Sequence, residues 1–305
     1  MWHERRIALV AFTTPRSAAG LSVRAYHPGD EAAVLGLVGA DRLPGQPPAT
    51  PGMLAEALAG RSPVDGGWWD ELEAPVTEVI CDATDQVLGA VSYARRPSDQ
   101  SGFILWLHCR EDEGLAEALI SRALHRLGTG TVHAFEFASA LTLGLEGLPA
   151  RHRPATLKAL EAAGFTGRDS WRYMRADLPV AGLPRAERCT VEECEDPPGR
   201  RLEVRDGAEL LAEATIGRPV DGVGVLWWIG VAQAARGRGT GLALLGSALD
   251  ELAGIGAREV ILYVDDDAPP GDTERDRTAA NGLYDRAGFT EVDRLHCFTP
   301  RFVAA

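Results

Sequence analysis

Lysine is nearly missing from this 305-residue chain: Lys158 stands alone against thirty arginines, a usage expected of a GC-rich bacterial gene. Long apolar runs are missing too. None approaches the roughly 20 residues that span a bilayer, which excludes a transmembrane helix. The run Ile7–Phe12 after Arg5 and Arg6 is shorter than a secretory core of about 7–15 residues and reads as a strand, a leader peptide being the alternative. The five cysteines (Cys81, Cys109, Cys189, Cys194, Cys297) include no Cys-x-x-Cys pair and no neighbouring histidine knuckle. A zinc site or disulfide framework is therefore not expected, and reduced thiols in the cytoplasm are. Positive charge is also lacking. A net charge of −13 argues against nucleic acid or an anionic membrane as partner.

What is present is a duplication. Ala-Gly-Phe-Thr occurs at Ala163 and again at Ala287, GFILWLHC from Gly102 answers GVLWWIGV from Gly224, and ALISRAL from Ala118 answers ALLGSAL from Ala243. Three landmarks in one order, 122 to 125 residues apart, predict two diverged copies of one unit. The Pro-rich, charged stretch Pro179–Gly199 reads as the linker, dividing the chain into domains 1–183 and 184–305. Strands alternate with helices in each copy, which predicts an α/β fold with mixed sheets. In the second copy the strands are expected near 201–206, 209–217, 223–231, 259–264 and 289–298, with helices near 239–253 and 277–287. The first copy adds a strand near Leu21–Tyr26 and a helix Pro28–Val38. Residues 187–305 hold 22 acidic and 13 basic side chains, net −9, and residues 1–186 carry the remaining −4. That acidic excess either attracts a cationic acceptor or is a solvated surface.

The most informative segment runs from Val225 to Gly256. An apolar strand enters a polar turn, then Arg236-Gly237-Arg238-Gly239-Thr240-Gly241, then a helix with Leu242, Leu245, Leu249 and Leu252 on one face. Glycines let backbone N–H groups approach a ligand, and a helix N-terminus adds unpaired donors and partial positive charge. No acidic residue interrupts Ala232–Leu249. The segment is not a Gly-Lys-Ser/Thr loop, nor Gly-x-Gly-x-x-Gly. The glycine spacing alone is equally that of a helix entrance with solvated arginines.

With its flanking elements, Arg236-x-x-Gly239-x-Gly241 resembles the diphosphate-binding motif of the GNAT superfamily of N-acetyltransferases. ANGLYDRAGF, Ala280–Phe289, resembles the superfamily's second motif at the proper distance downstream. The resemblance covers the second copy. A tandem arrangement with one competent half is similar to the mycothiol synthases and their actinobacterial relatives. It implies two tandem GNAT-like domains, each a mixed, mostly antiparallel twisted sheet flanked by helices. It also implies acetyl-coenzyme A as cosubstrate, a direct ternary-complex transfer to the amine of a small molecule, and no metal. The backbone of Ile229, Gly230 and Val231 would hold the pantetheine arm, and the amides of Arg236, Gly237, Arg238, Gly239, Thr240 and Gly241 the diphosphate. Asn281 matches a variant asparagine that hydrogen-bonds the coenzyme. The more usual asparagine position is Arg277. Tyr284 matches the general acid that protonates the departing thiolate, its alternative being a core tyrosine.

The base is not evident. The strand position where many relatives carry Glu reads Leu226, Trp227 and Trp228. Asp265 is the candidate, directly or through water, with Asp266, Asp267 and His296 behind it. The alternative is an acidic loop beside Pro269-Pro270-Gly271; the spacing fits no calcium loop. In the first copy the corresponding turn, Cys109–Ala116, is shorter and carries Glu111, Asp112 and Glu113, which would repel a diphosphate. That half is expected to be structural or acceptor-lining, with a degenerate coenzyme site the runner-up. The acceptor is expected between the halves, with Trp68 and Trp69 as walls, in a monomer or homodimer. Rival readings are a non-catalytic acyl-coenzyme A sensor and a protein N-acetyltransferase.

Overall fold

The computed structural model describes residues 20–64, 66–128, 130–195, 197–265 and 276–303. Ile7–Phe12, Asp266, Asp267 and the Pro269-Pro270-Gly271 segment lie outside the described residues.

The first half opens with β1 (Ser22–Ala25) and, after a 3-10 turn, α1 (Glu31–Ala40). In α2 (Pro51–Leu58), Pro51 stands at the first helical position, and the Thr50 hydroxyl accepts from the Met53 N–H at 3.2 Å. The one-turn α3 (Gly66–Trp69) leads to β2 (Val76–Cys81), β3 (Val87–Arg96) and β4 (Ser101–His108). Then come α4 (Glu113–Leu127), β5 (Gly130–Ala134), β6 (Leu148–Pro149), α5 (Pro154–Ala162) and β7 (Thr166–Asp177). The second half contains β8 (Thr190–Glu195), β9 (Pro198–Asp206), β10 (Glu209–Gly217) and β11 (Val223–Val231). It ends with α6 (Thr240–Gly254), β12 (Glu259–Asp265), α7 (Thr278–Arg286) and β13 (Thr290–Val303). Strands alternate with helices as the apolar periodicity requires, and β4, α4, β5, α5, β7 recur as β11, α6, β12, α7, β13.

Two expectations need correction. The stretch to Gly199 is not all linker, because Thr190–Glu195 is an edge strand paired with β9. It reads as a loop because its side chains are mostly charged and exposed, as an edge strand tolerates. The true connector is pressed onto α6: Ala186 N–H donates to Ser247 Oγ at 3.0 Å, and a Cβ on Gly246 would lie 2.1 Å from the Pro184 carbonyl, so only glycine fits. The second half also has a first strand, β8, but turns directly into β9. Among the described residues it has no counterpart of α1 and α2.

All strands join one sheet, in the order β1-β2-β3-β4-β5-β13-β7-β12-β11-β10-β9-β8, with β6 beside β13. Among the described residues only β4/β5 and β11/β12 pair in parallel. The middle of the order is an exchange. The last strand of the second half, β13, pairs with β5 of the first, and β7, the last strand of the first half, pairs with β12 of the second. Buried Asp293 on β13 fixes it by accepting from the backbone N–H groups of Arg151 and His152, both at 3.0 Å.

Apolar clusters fill both faces. One lies under α4 and α5, one under α6 and α7, and one between α1, α2 and the first half's strands. On α6, Leu245, Leu249 and Leu252 point inward as the periodicity requires, joined by Leu244. Each fully buried leucine is worth about 1.5–3 kcal/mol. A fourth cluster joins the halves: Leu43, Leu143 and Leu145 of the first pack on Val223, Val225, Trp227 and Ile261 of the second. Loops of the first half thus cover the face that helices like α1 and α2 would otherwise cover.

Candidate active site

The site begins where β11 and β12 part. They pair only through Val223/Glu259, Gly224/Val260 and Val225/Ile261. From Leu226 onward β11 keeps its partner β10 on one edge, while its edge toward β12 is unpaired. An extended ligand added there would gain main-chain hydrogen bonds, as an added strand does. Ile229, Gly230 and Val231 line this gap.

The chain then makes a 3-10 turn, Gln233–Ala235, and enters α6 through Gly237 and Gly239, with φ of +73° and +81°. A Cβ at either glycine would meet nothing within 4 Å, so the requirement for glycine is conformational and the space above is open. No side chain caps α6, and no carboxylate sits in its first turn. Its first N–H groups and its dipole therefore face that open space unneutralised. Arg236 folds back, Nε donating to the Val231 carbonyl at 3.1 Å, and Arg238 is exposed.

The first half fills the corresponding positions with its own side chains. Asp112 caps α4, accepting from Leu115 N–H at 2.9 Å, and Glu113 follows in the first turn. β4 and β5 also part, after Ile104/Ala134. The gap is closed by Arg153, 4% exposed, which donates to the Leu107 carbonyl at 2.9 Å and pairs with Glu111. The Glu111 carboxylate in turn accepts from the α5 N–H groups of Ala155 (2.8 Å) and Thr156 (3.1 Å). Both features a diphosphate-bearing chain would need are used internally.

Tyr284, on α7, is buried and meets Phe289 edge-on, with ring centroids 5.8 Å apart. Burial, aided by the Asp265 carboxylate, pushes its phenol up to about 12. The group stays protonated through the neutral range, as a proton donor must. Asp265 is thus brought near Tyr284, but it also forms a 3.6 Å ion pair with Arg277. His296 lies two strands away, since Asp265 and Leu295 both pair with Trp171. Asn281 accepts from Arg172 of β7 at 2.5 Å and donates to the Arg277 carbonyl at 3.2 Å, so its carboxamide is engaged within the protein.

Trp69 is a core residue of the first half, not a wall between halves: it is 3% exposed and its indole N–H donates to the Ala138 carbonyl. Trp68 is exposed. The contact between halves is made instead by Leu43 and the loop 135–147. Gly144 sits against the Trp227 ring, and the Tyr263 hydroxyl donates to the Leu143 carbonyl. A register shift beside Thr215/Ile216 leaves Trp227 unpaired and turns Trp228 to the face away from α6, where it is 55% exposed. On that face the sequence reading passed over Glu213 of β10. Its neighbours Ala212 and Ala214 are buried under α6, and it pairs directly with Gly230. Period-two alternation along Glu209–Gly217 was the available signal.

Residues 168–289 match the acetyltransferase (GNAT) family. That stretch, about two-fifths of the chain, is where it matches a GNAT domain. The matched span opens within β7, the strand the first half lends to β12. Two curated relatives are named mycothiol acetyltransferase. That of Geodermatophilus obscurus is 34% identical over 41% of this chain and 42% of its own length. That of Cellulomonas flavigena is 34% identical over 42% and 39%. The alignments thus span about two-fifths of those relatives. The tandem GNAT protein from the clavulanic acid biosynthesis pathway superposes with a TM-score of 0.62 at 15% identity, covering 93% of this chain and 99% of that one. A GCN5-related N-acetyltransferase from Sphaerobacter thermophilus gives 0.58 at 17% identity, over 93% and 96%. The fold across both halves is therefore that of the tandem GNAT protein.

Proposed function

We propose that this GNAT protein transfers an acetyl group from acetyl-coenzyme A to a primary amine of a small molecule, directly within a ternary complex. The coenzyme belongs to the unit 184–305, and 1–183 is its degenerate, shielding partner. The observation that carries the reading is the uncapped, glycine-lined N-terminus of α6 beside the unpaired edge of β11, against a first-half counterpart closed by Asp112, Glu111 and Arg153. Tyr284 would protonate the leaving thiolate. Glu213, on the Trp228 face and with no ion pair among the described residues, would serve better than Asp265 as the base that frees the amine. Relatives named for mycothiol acetylation favour a small acceptor over a protein, and the cover of first-half loops suits a site that excludes water. Five free cysteines suit a reducing compartment such as the cytoplasm.

Calorimetric titration with acetyl-coenzyme A, followed by a screen of amines for free-thiol release, tests this. One equivalent and amine-dependent release are expected. Two equivalents, or none, would overturn the assignment of the site. One equivalent without release by any amine would favour the sensing reading, which the absence of a proton acceptor on β11 supports.

A further inference from the structure

The first half has a cavity of its own, of about 670 Å³ with its mouth included, on the α1 side of its strands. Its end of β4 contributes Trp106 and His108. By the duplication these positions correspond to Trp228 and Gly230, on the face of the second half proposed above for the acceptor. Among the described residues the second half has no helix over that face, whereas in the first half the end of α1 and the loop 135–149 close over it.

The polar groups here are organised. His108 Nδ1 lies 2.9 Å from Asp41, whose side chain is 2% exposed, and Arg153 approaches the same carboxylate at 3.5 Å. Burial holds the imidazole below its ordinary range, against the pull of Asp41, and so favours the neutral ring. A neutral ring whose Nδ1–H donates a hydrogen bond to the Asp41 carboxylate keeps a lone pair on Nε2. Trp106 is 2% exposed, and its indole N–H is buried with no hydrogen-bond partner among the described residues, which folded proteins rarely leave unmet. The two rings are neighbours in the lining, tilted at 37° with centroids 6.1 Å apart. Leu105, Phe137 and Leu141 supply apolar walls. A thioester has no route in, since Arg153 occupies the gap between β4 and β5.

We propose that this cavity is a second small-molecule site, which binds a compact, mostly apolar alcohol or phenol whose hydroxyl accepts from Trp106 and donates to His108. In this arrangement the first half has kept the acceptor side of its ancestral fold as a binding pocket and sealed the coenzyme side. The proposal does not depend on acetyl transfer by the second half.

The test uses the full chain with ¹⁵N-labelled tryptophan and two probes, phenol and toluene. The Trp106 indole resonance, identified by its loss in Trp106→Phe, is followed on titration. A saturable shift with phenol in the millimolar range or tighter is expected, with toluene at least about tenfold weaker. Trp106→Phe should remove that preference, read from the remaining resonances. Leu141→Trp, which fills the cavity, should abolish the response to both probes while the other indole resonances keep their positions. No saturable shift, equal binding of the two probes, or a phenol response that survives Leu141→Trp would each overturn the proposal. The first of these would mean that water alone satisfies Trp106.

Discussion

Replacing Gly239 by valine separates backbone strain from ligand contact. Gly239 has φ +81° and is exposed, and a Cβ there would meet no protein atom within 4 Å. The stability cost is then conformational only, about 1–2 kcal/mol for a non-glycine residue in the left-handed region, or a few degrees in thermal midpoint for a chain of this size. The effect on binding should be larger. The valine side chain would stand where the diphosphate must approach the first N–H groups of α6. A hydrogen bond to a charged group contributes about 1.5–3 kcal/mol, so losing one weakens binding at least about tenfold and losing two about a thousandfold. Gly182 is the matched control: φ +79°, exposed, nothing within 4 Å of its Cβ, and located in the connector. Calorimetry with acetyl-coenzyme A and thermal melts on Gly239→Val and Gly182→Val should give the same loss of midpoint in both and a loss of affinity in the first alone. If both variants bind like the parent, the α6 turn does not hold the diphosphate. If both lose affinity equally, strain is the cause, and the argument from geometry fails.

Tyr284→Phe should lower turnover by about 10²–10⁴ with little change in coenzyme affinity. Because the phenol is pushed up to about 12, the parent's kcat should show no loss of an essential acid as pH rises through 10; a decline there would assign the proton elsewhere. Glu291 joins the halves, taking Arg172 and Arg151 of the first and Arg294 of its own strand. Burial alone would raise its carboxyl, but these arginines bring it down to about 2 from the ordinary 4.5. A depressed carboxylate adds stability that is full above about pH 4.5 and lost as pH falls toward 2, here at most about 3 kcal/mol. Glu291→Gln should therefore destabilise the protein at pH 7 and flatten acid denaturation between pH 4.5 and 2, as followed by circular dichroism. Finally, a 184–305 fragment lacks β7, which lies between β12 and β13, and is expected to be unfolded or aggregated by gel filtration. Adding residues 166–183 at its start should help, and a soluble, monomeric 184–305 fragment would show the exchange to be dispensable.

Local chemistry was enough to reveal the duplication, the order of strands and helices, and the α6 turn. Period-two and period-3.6 apolar patterns, a glycine after each helix and the absence of acids from Ala232 to Leu249 are properties of adjacent residues, and they persist in the fold as they stand in the sequence. Strand Thr190–Glu195 escaped because an exposed, charged edge carries no apolar alternation. The exchange of β7 and β13 left no mark, since the two strands are copies of one another and each has apolar residues suited to either neighbour; only closure of the whole sheet decides which edge each one takes. The same holds for the groups that act at a distance in sequence. Arg153 reaches Leu107 and Glu111, Asp41 reaches His108, and Glu213 faces Gly230 across a strand pair. The members of each pair stand 17 or more residues apart, and their meaning comes from burial and register, which exist only once each half has folded.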